Sequence, residues 1–299
     1  MADASSILLA LLSGLASGML LFMAAIGLTL VFGVLDVLNF AHGSLYMLGA
    51  YVTFFMVGEN GFLGGLPGDF WVAAFIAAIV VAVFGALLER FLIRPIYDQD
   101  HVFQLLLTFA LVLLIDNGAR VLWGTSNRSV ATPDLLAFQV PILGSQYPAY
   151  NLFVIGAGVA VAIGMYLLFE RTRIGKVVRA SAENRSTAEA LGINVPVVFT
   201  VVFLFGAALA ALGGALAAPR QALQPSMGES VIVETFIVTV IGGLGSFAGA
   251  LVGSILIGLV GSLAFVFVPR FEPLIPFALL AAVILLRPAG LFGDAEASA

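Results

Sequence analysis

From Ile7 to Val34 the chain carries no charged side chain. A helix needs roughly 20 apolar residues to cross the ~30 Å hydrocarbon core of a bilayer, so this run is long enough to span one. The same pattern returns at Phe70–Leu88, Phe103–Leu122, Leu152–Phe169, Phe199–Ala218 and Ala248–Val268, with shorter or interrupted versions at Ala41–Val57, Val231–Ile241 and Leu274–Leu286. Lipid offers nothing to unpaired backbone groups, so such segments must be helical. Their lengths exclude the ~10-residue alternating strands of a barrel. The expected fold is therefore all-α: a polytopic integral membrane protein of about 8–9 transmembrane helices, one or more of them interrupted or short. Composition agrees, since 62% of residues are apolar and only 10% charged, against about 25% charged in soluble domains. No polar stretch is long enough for a second domain, so residues 1–299 read as a single membrane domain.

Charge placement gives the orientation. Of the 12 Lys plus Arg, Arg171, Arg173, Lys176, Arg179 and Arg185 share one loop, Arg90 and Arg94 another, and Arg287 ends the last apolar block. Positive residues stay cytoplasmic, so these regions should share one side, with Gly124–Tyr150 and the N-terminus on the other. The start, Met1–Ser6, has Asp3 and no basic residue, so Ile7 onward reads as a retained first span and not a signal peptide. The net charge of −5, without a basic face, argues against nucleic acid.

The inventory also narrows the chemistry. Cysteine is absent and only His42 and His101 supply imidazole, which removes disulfides, thiolate nucleophiles and histidine-rich metal centres. Neither a G-x-S-x-G elbow nor an HExxH motif occurs, so an enzyme is disfavoured and no cofactor is called for. The glycine-rich segment Ile241–Gly249 lacks the lysine of a phosphate loop and reads as a sharp turn with φ > 0. Gly14 and Gly18, and Gly249 and Gly253, lie four apart, as close helix packing in lipid requires. Helices that slide during transport would also use them.

Three places could carry function. Asp36, Asn39, His42 and Gly43 sit between two apolar stretches. They form either a wet turn with interfacial caps, or a broken helix, bent at Gly43, whose polar groups line a translocation path. Glu229 and Glu234 flank an apolar run, where they form a polar rim to a pathway or simply flank its mouth; Gly58–Asp69 reads as an external turn. The loop Arg171–Pro196 contains good helix formers, and a short helix is expected over about Ala182 to Leu191, stopped by Gly192.

Three segments together resemble one family. They are Val37-Leu-Asn-Phe-Ala-His-Gly-Ser-Leu-Tyr-Met-Leu-Gly-Ala-Tyr51, Arg171 to Gly192, and Gly242-Gly-Leu-Gly-Ser-Phe-Ala-Gly249. In order and spacing these are similar to the permease subunits of ABC importers for branched-chain amino acids, and closer to the smaller of the two usual permeases. The resemblance implies a bacterial inner-membrane subunit that pairs with a second permease subunit and two cytoplasmic ATPase subunits, and takes substrate from a periplasmic binding protein. It implies no ATPase in this chain. It makes Arg171–Pro196 the cytoplasmic coupling loop, with Glu183, Ala188, Leu191 and Gly192 as contacts. The general docking loop has Glu-Ala-Ala, where this chain has Ser186-Thr187-Ala188. Amides and urea are substrates in the same family. The alternative from the residues alone is an ion- or proton-coupled secondary transporter, for which Asp36, Asp116, Glu229 and Glu234 would be the ionisable groups.

Overall fold

A computed structural model describes residues 4–58, 61–66 and 68–293. Asp3, and Glu59, Asn60 and Pro67 of the expected Gly58–Asp69 turn, lie outside the described residues. The chain forms helices α1 (Ala4–Leu35), α2 (His42–Val57), α3 (Asp69–Leu88), α4 (His101–Trp123), α5 (Ala149–Arg171), α6 (Arg173–Glu183), α7 (Arg185–Ala190), α8 (Val195–Ala217), α9 (Met227–Gly242), α10 (Phe247–Phe267) and α11 (Ile275–Leu286). A hairpin of β1 (Gln139–Ile142) and β2 (Ser145–Pro148) sits in the segment before α5. It is a small departure from an all-α chain. Its turn uses Leu143 and Gly144, both at positive φ.

Seven helical segments among the described residues are long and apolar enough to cross a membrane unaided. The two others, α2 and α9, have 16 residues each, about 24 Å of rise against the ~30 Å core. By length and composition the count is thus seven, below the eight to nine expected.

Helix α1 is the most enclosed of the seven, whereas α11 has no buried residue. Apolar burial does little to hold helices together in lipid, so backbone proximity must do so. Gly14 and Gly18 lie against the α10 backbone at Gly258 and Ser254. Gly249 lies against Gly242 of α9. The packing role of these glycines is therefore observed. Side chains such as Phe75, Leu106, Phe109 and Leu114 point outward, which suits lipid and would be a liability in water.

The basic segments share one end of the bundle. Arg94 of the α3–α4 connection donates to the Pro196 carbonyl at 2.9 Å, and Arg185 approaches Asp98 at 3.7 Å. Leu291, just past Arg287, donates to Ile241 at the end of α9 at 2.8 Å. At the opposite end Arg128 pairs with Leu223 in a backbone bridge, and Phe70 at the start of α3 meets Tyr150 at the start of α5.

Candidate functional site

The first expected site, Asp36–Gly43, joins α1 to α2 without a helix. Asp36 adopts φ 53°, is exposed, and lies 4.0 Å from His101 at the basic end. From there the backbone climbs inward. The Leu38 carbonyl accepts from Thr108 at 3.2 Å, and Ser44 donates to Asp116 at 2.8 Å. Measured along α4 from His101, these contacts lie about 10 Å and 22 Å deep at 1.5 Å per residue. Non-helical backbone at such depth requires cover by protein or by a cavity, and here Val37, Asn39 and Ala41 are buried.

The structure thus contains both alternatives in one segment: a wet end at Asp36 and a broken span beyond it. The break covers residues 36–41, not the bend expected at Gly43, which lies inside α2. Gly43 has another task. It packs against Gly228 of α9, where an added Cβ on Gly228 would stand 2.9 Å from the Gly43 carbonyl oxygen. Phe40 and Phe236 stack beside this contact with centroids 4.8 Å apart.

Two 16-residue helices therefore begin side by side within the bundle. Helix α2 runs to the end where Tyr51 meets Trp123, and α9 runs to the basic end. Each presents the positive end of its dipole to the shared origin. His42 is buried there, one ring nitrogen 3.0 Å from the Ala24 carbonyl. Asn39 accepts from the Ala41 amide at 3.1 Å. Its amide nitrogen and the second His42 nitrogen have no partner among the described residues.

Glu234 lies further along α9 from that origin. It lines an open cavity of about 410 Å³ between α1, α9 and α10, together with Ser17, Tyr46, Arg220 and Glu272. Glu229, expected beside it, does not line this cavity. Arg220 was not singled out from the sequence, yet a signal existed: it is an arginine distant from the basic end, against the positive-inside trend.

Asp36 is exposed at the basic end and does not line this cavity. Asp36→Asn should leave the KM and maximal rate of transport within about twofold of wild type, because surface changes cost at most ~0.5 kcal/mol and Asn tolerates positive φ. A change of tenfold in either parameter would place Asp36 on the pathway.

At the basic end the loop after α5 folds into two helices, correcting the single helix expected over Ala182–Leu191. Asn184 divides them by capping α7: its side chain accepts from the Thr187 amide at 2.8 Å. Thr172 caps α6 in the same way. Gly192 stops α7 as expected, with φ 85° and the Ile193 amide donating back to Ala188 at 3.0 Å. Ala188 itself is buried, whereas Glu183, Leu191 and Gly192 are exposed.

A polar cluster at the same end ties the end of α3 and the α3–α4 connection to the start of α8. Glu89, fully buried in a π-helical turn that ends α3, accepts from Arg94 at 3.0 and 3.1 Å, from Tyr97 at 2.7 Å and from Thr200 at 2.8 Å. Arg94 also contacts the Thr200 hydroxyl. Burial, then the bond to Glu89, push the Tyr97 phenol far above its ordinary range, so it stays a neutral donor.

This architecture, with its broken spans, buried polar origin and open cavity, is that of a multi-pass membrane transport protein. Residues 10–285 match the family described as branched-chain amino acid transport system / permease component, and the chain belongs to that family. It is 30% identical to the high-affinity branched-chain amino acid transport system permease protein BraD of Pseudomonas aeruginosa over 294 residues, covering 96% of this chain and 95% of BraD. Against the LivH protein of the same description from Escherichia coli K12, identity is 30% over 293 residues, 95% of this chain and 94% of LivH. A probable LivH permease of Methanocaldococcus jannaschii is 27% identical, over 92% of this chain and 89% of that protein. No solved structure matches the chain.

Proposed function

We propose that this chain is one permease subunit of an ATP-driven importer that carries branched-chain amino acids, or the related amides and urea, across the inner membrane of a bacterial cell. A second permease subunit, two cytoplasmic ATPase subunits and a periplasmic binding protein complete the assembly. The observation that carries the reading is the capped helix pair α6–α7, held on the bundle by buried Val178 and Ala188. It turns Glu183, Leu191 and Gly192 outward, and Leu191 is 75% exposed. A leucine that exposed, beside a rigid helix stop, suits insertion into a groove on a partner. Ala188, turned inward, is a support for this surface and not a contact.

ATP would drive transport by favouring one docked geometry of α6–α7 over another, since a ligand shifts an equilibrium only by its differential affinity for two states. Reconstitution in liposomes with ATPase and permease partners tests this. ATP-dependent uptake of labelled leucine is the expected result, with amides and urea compared in parallel. Uptake driven by an ion gradient without any ATPase would overturn it in favour of secondary transport.

Gly192→Val should abolish ATP-driven uptake while leaving the protein in the membrane. Nothing stands within 4 Å of an added Cβ there, so the effect comes from backbone strain alone, about 1–3 kcal/mol at the helix stop. Normal uptake by this variant would remove Gly192 from the docking surface.

A further inference from the structure

We infer that the open cavity between α1, α9 and α10 binds the zwitterionic head of an α-amino acid, with Arg220 on the carboxylate and Glu234 on the ammonium. The assignment rests on the amino-acid reading above and gives it a place in the permease. Both charges line one cavity of about 410 Å³, with Glu272 of the segment before α11 as a second carboxylate on its wall. Its size is within the range of about 300–1,000 Å³ usual for small-molecule sites. Ionisable groups inside a membrane protein are costly, and normally pair or serve a substrate path.

Neither charge enters an ion pair with another described residue. Arg220 is held by a 3.3 Å hydrogen bond to Ser17 of α1, which leaves most of its guanidinium fork free. Glu234 is exposed into the cavity, on the α9 segment between Ile232, which packs on Gly43, and Phe236, which stacks on Phe40. It is therefore close to the origin of the two short helices. Opposite charges that face a common space without closing on each other suit a ligand that carries both. The same cavity offers Leu20, Leu21, Ile257 and Phe265 to an apolar side chain. Urea carries no net charge and no apolar side chain, so it would leave this apolar wall uncovered.

The test is equilibrium binding to the purified full-length chain in detergent, without a binding protein or ATP. Three probes are used: L-leucine, 4-methylpentanoate, which keeps only the carboxylate, and 3-methylbutylamine, which keeps only the ammonium. Wild type should bind leucine at least about tenfold more tightly than either fragment, since each fragment forgoes the charge-assisted hydrogen bonds of one of the two charged groups. Arg220→Gln should bind leucine no better than the amine, and Glu234→Gln should bind it no better than the acid. Asp134→Asn, an exposed charge at the hairpin end, should match wild type.

Equal affinity of wild type for all three probes, or no leucine binding, would overturn the site. So would two variants that bind leucine within twofold of wild type, or that lose all three probes alike. Should a variant fail to fold, the wild-type ranking still decides. ATP-driven leucine uptake without the crossed pattern removes the site and leaves the importer. The crossed pattern without ATP-driven uptake removes the importer and leaves the site.

Discussion

Gly49→Ala is expected to lower the melting temperature of the purified protein by several degrees and to reduce the amount that reaches the membrane folded. An added Cβ at Gly49 would meet the carbonyl group and Cα of Ala211, all backbone atoms of α8. Backbone cannot step aside as a flexible side chain can. Forcing atoms into such a contact costs about 1–3 kcal/mol and often more. The opposing gain from helix propensity, up to about 1 kcal/mol for Gly to Ala, is smaller. Gly118→Ala in α4 isolates that gain, because nothing lies within 4 Å of its Cβ. It should melt at or slightly above the wild-type temperature. If both variants melt alike, the α2–α8 crossing is looser than the geometry here.

Glu89→Ala should have a comparable effect on stability and a larger one on coupling. The carboxylate is fully buried and accepts from Arg94, Tyr97 and Thr200. Removing one partner of a buried pair costs about 3–5 kcal/mol. The Arg94 side chain is 30% exposed, so water recovers part of its charge and about 2–3 kcal/mol is the better expectation. The loss falls where α3 meets the start of α8, which directly follows α7. If α6–α7 dock an ATPase as proposed, ATP-driven uptake should therefore fall further than thermal stability alone accounts for. Thr200→Val deletes one bond to the same carboxylate and should cost only about 1 kcal/mol. Thermal unfolding and uptake of the two variants check the order, and a Glu89→Ala protein that melts and transports like wild type would dismiss the cluster as an anchor.

The long spans were legible because lipid imposes a length and a polarity that few other environments do. The end of every long helix falls within a few residues of its apolar run. The capping of α7 was written in Asn184, but the alanines on either side read more loudly as one continuous helix. The half-spans were harder to read. Ala41–Val57 and Val231–Ile241 stood out as short, yet only tertiary contact brings Gly43 to Gly228. The site divided in the same way. Glu234 announced itself as a carboxylate on an apolar run, while its partner Arg220 lay in a connecting segment and became visible once α1 and α9 closed around it. Glu89 did not stand out in the sequence, because Thr200, which donates to it, is distant along the chain.

The contact between Gly43 and Gly228 has a mechanical consequence. It joins two levers at one fulcrum, main chain against main chain, bordered by Ile232 and the Phe40–Phe236 pair. Helix α9 reaches the basic end, where Ile241 and Gly242 accept from Leu291 and Phe292, and α2 reaches the far end beside Trp123. A push on one arm must therefore slide the joint, tilt the other arm, or open a gap between them.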